Sequence, residues 1–79
     1  MDYQFTEYFE NQVLRKRQYL TKEMWICVIE NPIRMESQEE DRFRFWGRVE
    51  ELPGRFLRVV TFSDKVTIHN AFLDRRFKP

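Results

Sequence analysis

Residues 42–49 constrain the fold more than any other part of this chain, because they alternate with a period of two. Successive side chains of a β-strand point to opposite sides of the sheet, so this period predicts a strand with two different faces. One predicted face carries the apolar residues Phe43, Phe45 and Val49. The other carries Arg42, Arg44, Trp46 and Arg48. We therefore expect a sheet with one face in a core and a second face rich in arginine.

Three more segments predict strands of the same sheet, at residues 33–36, 55–62 and 65–72. The segments between them carry turn signals: the acidic run at 39–41, the pair Pro53-Gly54 and the pair Ser63-Asp64. Such short connections require neighbouring strands to run antiparallel. In the third strand, Leu57 and Val59 share one face, and Arg58 shares the other with Val60 and Phe62. In the last strand we expect Val66, Ile68 and Phe72 inward and Lys65, Thr67 and His69 outward.

The first part of the chain has a helical period. Residues 7–17 predict one helix with Thr6 as its N-cap, and residues 22–30 predict a second helix with Thr21 as its N-cap. Asn31-Pro32 ends the second helix, because the residue before a proline is disfavoured in helical geometry. Met24, Trp25 and Cys27 make this helix apolar on most sides, which predicts that Cys27 is buried. The predicted fold is α+β, a single domain over residues 1–79 with two N-terminal helices on one face of a four-stranded antiparallel sheet.

Composition sets the class of protein. Sixteen per cent of the 79 residues are aromatic, which favours a folded core. The first residues carry no basic region followed by an apolar run, and the longest apolar run spans residues 24–29, so we expect a soluble cytoplasmic protein without a membrane span. One histidine and one cysteine cannot supply a zinc site of the usual spacing, and two glycines make no phosphate loop; we predict no metal and no cofactor. The net charge of +1 predicts no DNA binding.

The predicted outward residues have a shared chemistry. Arg44, Arg48, Arg58, Trp46 and His69 would converge on one surface. Arginine forks bind phosphate oxygens, an exposed tryptophan can stack on a base, and a histidine can transfer a proton near neutral pH. These are the groups that cleave an RNA phosphodiester without a metal. The structural alternative is that the arginines keep a sheet soluble and that Trp46 packs under the C-terminal tail or a partner chain.

Several short motifs stand out along the chain: Arg17-x-Tyr19-Leu20-Thr21-x-Glu23, Val28-Ile29-Glu30-Asn31-Pro32, the arginine-rich aromatic strand, and Leu57-Arg58-Val59-Val60. Together they resemble a family of small bacterial proteins grouped with the RelE-like toxin superfamily, alongside the BrnT type. The resemblance covers residues 5–77. It implies a RelE-like fold and a metal-independent ribonuclease of a toxin–antitoxin system, neutralised by a small antitoxin that covers the sheet. By position, it implies functional roles for Arg58, His69 and Arg75.

The sequence therefore leaves two functions open. In the first, a toxin-type ribonuclease, Arg58 and His69 are catalytic, while Arg44, Trp46, Arg48 and Arg75 bind RNA or a partner. In the second, the same arginine–tryptophan face is a non-catalytic protein-interaction module, or the remnant of a toxin that has lost its activity. Arginine and tryptophan are enriched in interface hot spots, and the near-neutral charge favours the second function because phosphate contacts dominate RNA affinity.

Overall fold

The computed structural model describes residues 3–79, so Met1 and Asp2 of the predicted domain lie outside the described residues. The elements are β1 (Gln4–Phe5), a π-helical turn (Phe9–Val13) continued by α1 (Leu14–Lys16), α2 (Lys22–Glu30), β2 (Arg34–Gln38), β3 (Arg42–Arg48), β4 (Phe56–Phe62) and β5 (Thr67–Leu73). The predicted α+β class is confirmed.

Within residues 3–79 the sheet has five strands, in the order β1-β5-β4-β3-β2. The pairs β2–β3, β3–β4 and β4–β5 are antiparallel, as the short connections require. The prediction of a four-stranded, wholly antiparallel sheet is wrong, because β1 pairs with β5 in the parallel direction. The backbone N–H of Gln4 donates to Val66 over 2.9 Å, and that of Thr6 donates to Ile68 over 3.1 Å. A strand of two residues is too short to produce an alternating pattern in the sequence.

The first helical segment begins after Thr6, as predicted. The Thr6 hydroxyl accepts a hydrogen bond from the backbone N–H of Phe9 over 3.1 Å, which satisfies one of the free donors at a helix start. The next turns are π-helical, with the N–H of Leu14 bonded to the carbonyl of Phe9. This segment buries Phe9 and Val13 against β5 and so ties the N-terminal part of the chain to the sheet.

Helix α2 matches its predicted bounds, and Thr21 caps it by accepting from the backbone N–H of Met24. The helix crosses the core face of the sheet at Gly47, where an added Cβ would lie 3.2 Å from a methyl group of Val28. The prediction that Cys27 is buried is wrong, since its side chain is exposed. Only one face of α2 packs against the sheet, with Met24, Trp25 and Val28 buried, and Cys27 lies on the opposite face.

The core lies between the helices and one face of the sheet. Its buried residues come from the first helical segment, from the loop before α2, from α2 itself, and from the inward positions of β3, β4 and β5 and the residue after β3: Phe9, Val13, Leu20, Met24, Trp25, Val28, Phe45, Val49, Leu57, Val59, Ile68 and Ala71. The inward positions predicted for Phe45, Val49, Leu57, Val59 and Ile68 are confirmed. The opposite face of the sheet therefore carries the arginines.

A β-bulge changes the pattern of β5. Val60 pairs with Asn70 and Thr61 pairs with Ile68, so His69 is an extra residue without a partner on β4. Residues after the bulge therefore switch faces, which places Ala71 in the core and Phe72 opposite Arg58. The prediction that Phe72 points inward is wrong for this reason, because strict alternation cannot reveal an inserted residue.

Candidate functional site

We call the face of the sheet that is not covered by the helices the outer face. It is formed by alternate residues of four strands, which the register arranges in rows. One row runs Arg34, Trp46, Arg58, Phe72 across β2 to β5. The next row runs Glu36, Arg44, Val60, Asn70, and a third runs Gln38, Arg42, Phe62. A fourth pair, Arg48 and Phe56, lies at the end of the face where β4 begins.

The arginines of the outer face lie over aromatic rings. The guanidinium carbon of Arg58 is 5.1 Å from the ring centre of Phe72 and 5.5 Å from that of Trp46. Arg44 lies 5.5 Å from Trp46, on the next row. Contacts of this kind are worth about 0.5–1 kcal/mol at exposed sites and orient the charged group. The rings therefore hold the guanidinium groups of Arg44 and Arg58 in place on the outer face.

Positive charge is concentrated on the outer face. Among residues 3–79, three carboxylates pair with the strand arginines, and two of them lie on the outer face: Glu36 with Arg44 at 3.2 Å and Asp74 with Arg58 at 3.9 Å. The face has a formal charge of +3, so the remaining nine cations and eleven acids leave the rest of the chain at −2. The ion pair of Arg42 with Glu40 is 3.8 Å long and its carboxylate is 77% exposed, so it contributes little.

Arg44 and Arg58 are neighbours of like charge. Burial lowers the pKa of Arg58, and Arg44 lowers this pKa further, against the opposite effect of Asp74. Both guanidinium groups stay charged at neutral pH because arginine is not deprotonated in proteins. The Nε atoms of Arg44 and Arg58 and the Oε1 atom of Gln38 are buried without a hydrogen-bond partner among residues 3–79. An anion with several oxygens would offset the repulsion between the two guanidinium groups.

Trp46 does not offer the exposed stacking surface that the ribonuclease hypothesis expects. It is 6% exposed, and the ring of Phe77 stacks on it with 5.2 Å between ring centres and 11° between planes. Its indole N–H donates to Asp74 over 3.0 Å, which is the main reason that the pKa of Asp74 lies below its ordinary value. The expectation of an open tryptophan is therefore wrong, and the structural alternative, in which Trp46 packs under the C-terminal tail, is confirmed.

His69 lies at the bulge in β5, beside Phe62 and at the end of the outer face that is farther from Arg48. Its Nδ1 atom is hydrogen-bonded to the Thr6 hydroxyl at 3.1 Å, and its ring lies 5.0 Å from that of Tyr8 and 5.4 Å from that of Phe62. Burial lowers the pKa of His69, and the charge of Arg42 lowers it further. The bond to Thr6 fixes the ring, while Nε2 has no hydrogen-bond partner in the described chain.

The predicted site residues thus form separate groups. Arg44, Trp46 and Arg58 are in contact near the centre of the face. Arg48 lies at one end, and the exposed Arg75 lines a small groove beside Phe56 at the same end. In residues 3–79 no hydrogen bond, ion pair or ring contact joins His69 to Arg58; the arginine that acts on His69 is Arg42.

Sequence reasoning missed several residues of this site. Arg42 was placed on this face but given no role, and Arg34 was not assigned to it, although both follow the same alternation as the predicted arginines. Asp74 and Phe77 lie in a tail without any period, and nothing in the sequence indicates that they cover Trp46. Tyr8 was predicted on a helix, but its contact with His69 depends on the strand β1, which the sequence did not reveal.

The described residues contain no group of three or more histidine, cysteine, aspartate or glutamate side chains that could hold a metal ion. No helix among them is long and apolar enough to cross a membrane. Comparison with family models, with curated proteins and with solved structures found no match. The RelE-like resemblance therefore stays a prediction, and the function has to be argued from the outer face.

Proposed function

We propose that the outer face binds the phosphate backbone of single-stranded RNA. The observation that carries this proposal is the segregation of charge, with five arginines on one face of a nearly neutral chain. Arginine forks match phosphate oxygens in a bidentate way. The repelling neighbours Arg44 and Arg58 favour a ligand that carries negative charge to both.

The net charge of +1 does not argue against RNA binding, because the charges are unevenly distributed over the chain. Charges farther away than about 10 Å are largely screened at 0.1 M salt, so a ligand on the outer face responds mainly to the local +3. Base stacking on Trp46 is not part of the proposal, because Phe77 occupies that ring. The half-buried ring of Phe62, beside Arg42 and His69, is the stacking surface that we propose instead.

Cleavage of the bound RNA is the more specific hypothesis, and it rests on the RelE-like resemblance. The 2′-hydroxyl would attack the adjacent phosphorus, the 5′-oxygen would leave, and a 2′,3′-cyclic phosphate would form. A base takes the hydroxyl proton, cations stabilise the charged phosphorane, and an acid protonates the leaving oxygen. We propose His69 as the proton-transfer group, with Arg42 in the role first predicted for Arg58. A small antitoxin that covers this face belongs to the same hypothesis.

The second candidate is a non-catalytic protein-interaction module, which includes an inactive toxin remnant. One observation favours it: half-buried phenylalanines alternate with arginines over the face, as in the pair Arg48 and Phe56 at 5.5 Å. Large side chains of these two kinds are suited to protein interfaces, where arginine and aromatic residues are enriched. An acidic protein would be the matching partner for a face of this charge.

The test is binding of a short fluorescent single-stranded RNA, measured by anisotropy. Each lost phosphate contact reduces affinity for single strands by about 0.7 log units at 0.1 M salt, so Arg44→Gln with Arg58→Gln should weaken binding roughly 25-fold. The matched control is Arg15→Gln with Lys16→Gln, which removes the same charge from exposed positions of α1. Circular dichroism establishes that both variants are folded, and Arg48→Gln, at an exposed position, serves as a milder variant.

The outcomes separate the candidates. No RNA binding by the wild-type chain at 50 mM salt, or an equal loss in the control variant, would contradict the proposal and favour the protein-interaction module. RNA that is bound but stays intact would remove the cleavage hypothesis and leave binding in place. RNA that is cleaved by the wild-type chain but not by His69→Ala would support both.

A further inference from the structure

Strand β2 is an edge of the sheet, with β3 on one side and no strand on the other among the described residues. The helices do not cover the core-facing side of β2. Met35 pairs with the buried Phe45 and therefore points to the core face, yet 44% of its surface is exposed. Ile33, which precedes the strand, is 43% exposed. A free row of backbone donors and acceptors beside exposed aliphatic side chains can accept another strand.

We propose that β2 pairs with β2 of a second copy of this chain, antiparallel and centred on Met35. A two-fold axis perpendicular to the sheet would keep both helix layers on one side. Met35 would then lie opposite Met35 of the second copy on the core face. On the outer face, Arg34 would lie opposite Glu36 of the second copy, and the same pair would repeat on the other side of the axis.

Charge complementarity selects this register over its neighbours. With both cores on the same side of a continuous sheet, the pairing can shift only in steps that keep each residue on its own face. Centring the pair on Glu36 would place two carboxylates opposite each other, and centring it on Arg34 would do the same with two guanidinium groups. Like charges in directly opposite positions destabilise a strand pair, whereas unlike charges stabilise it.

The strand is five residues long, which limits the size of this contact. Interfaces below about 1,200 Å² belong to weak and transient complexes. The dimer should therefore be in reversible equilibrium with the monomer, with a dissociation constant on the order of micromolar or weaker. The inference does not depend on what the outer face binds, although the dimer would place two outer faces side by side on one continuous sheet.

The test is sedimentation velocity of the full chain over a range of concentrations, with a charge-swap series at the two facing positions. Arg34→Glu places like charges opposite each other, and so does Glu36→Arg. Each single variant should weaken dimerisation at least tenfold. The double variant R34E/E36R restores unlike pairs in the same register and should dimerise about as well as the wild-type chain.

The swap also separates dimer contacts from contacts within one chain. Arg34 lies over Phe77 at 5.1 Å and Glu36 pairs with Arg44, so each single variant also loses a contact in its own chain. The double variant loses both of these contacts, and damage to the fold therefore cannot explain a rescue. A wild-type chain that stays monomeric up to millimolar concentration would overturn the inference. So would a double variant that is no better than the single ones.

Discussion

The contact between Phe77 and Trp46 can be tested by removing the Phe77 ring and measuring the exposure of Trp46. Phe77 is 8% exposed, although it is close to the end of the chain, and it contacts the rings of Trp46 and Phe56 at 5.2 and 5.1 Å. Phe77→Ala removes the ring without changing the chemistry of the backbone. We expect the tail to leave the sheet and expose Trp46, because Phe77 supplies the main apolar contact of the tail.

The magnitude follows from two opposing quantities. A buried phenylalanine removes about 150–250 Å² from water, which is worth about 4–6 kcal/mol at 25 cal/mol per Å². Ordering the four residues from Asp74 to Phe77 costs about 4–8 kcal/mol, and the hydrogen bonds of Asp74 return about 1 kcal/mol each. The net stability of the docked tail is therefore small. Once the tail leaves the sheet, the loss of stability cannot exceed the net stability of the docked tail. Phe77→Ala should therefore reduce the free energy of unfolding by about 1–3 kcal/mol.

The assay is acrylamide quenching of Trp46 fluorescence in a Trp25→Phe background, so that one tryptophan reports. In the parent chain Trp46 should emit as a buried residue and resist quenching. Phe77→Ala should shift its emission to the red and raise the quenching constant several-fold. Lys78→Ala is the control, since it changes the next residue, which is exposed. Equal quenching in Phe77→Ala and in the control would refute the account of the tail.

Three further predictions concern the core and the histidine. Gly47→Ala should lower the free energy of unfolding in urea by about 1–3 kcal/mol, because its Cβ would meet a methyl group of the fully buried Val28 at 3.2 Å. Val28→Ala should also lower it, because it leaves a cavity, and the two changes together should cost less than the sum of their separate losses. An unchanged stability in Gly47→Ala would contradict the close packing of α2 against the sheet. The pKa of His69, measured by NMR titration, should lie below its ordinary value of about 6.5. Arg42→Gln should raise this pKa, because it removes a positive charge near the ring. An unchanged pKa in this variant would show that Arg42 does not act on His69. Because the folded chain disfavours the protonated ring, this histidine should reduce stability as pH falls below about 6.5, and His69→Gln should remove that part of the pH dependence.

The sequence predicts much of the fold because its local patterns agree with its tertiary contacts. Helix α2 begins and ends where Thr21 and Asn31-Pro32 indicate. The alternation in β3 correctly assigns Phe45 to the core and Arg44 to the outer face. These features depend on side-chain period and on local backbone preference, both of which can be read from neighbouring residues.

The remaining features depend on contacts between residues far apart in the chain. The strand β1 has two residues and owes its pairing to β5, more than sixty positions later. The bulge at His69 changes the direction of Phe72 without any signal such as a glycine. The burial of Trp46 depends on a tail that has no period of its own, so a position on the outer face did not mean an exposed side chain.

The salt dependence of RNA binding is the sharpest test of whether the outer face binds RNA, because it counts the phosphate contacts. The logarithm of the binding constant should fall linearly with the logarithm of salt concentration, with a slope of about −0.7 for each phosphate contacted by a single strand. With three such contacts, the slope for the wild-type chain should be about −2. The slope should be shallower by about 1.4 after Arg44→Gln with Arg58→Gln. A slope near zero, or the same slope in both proteins, would contradict RNA binding by the outer face.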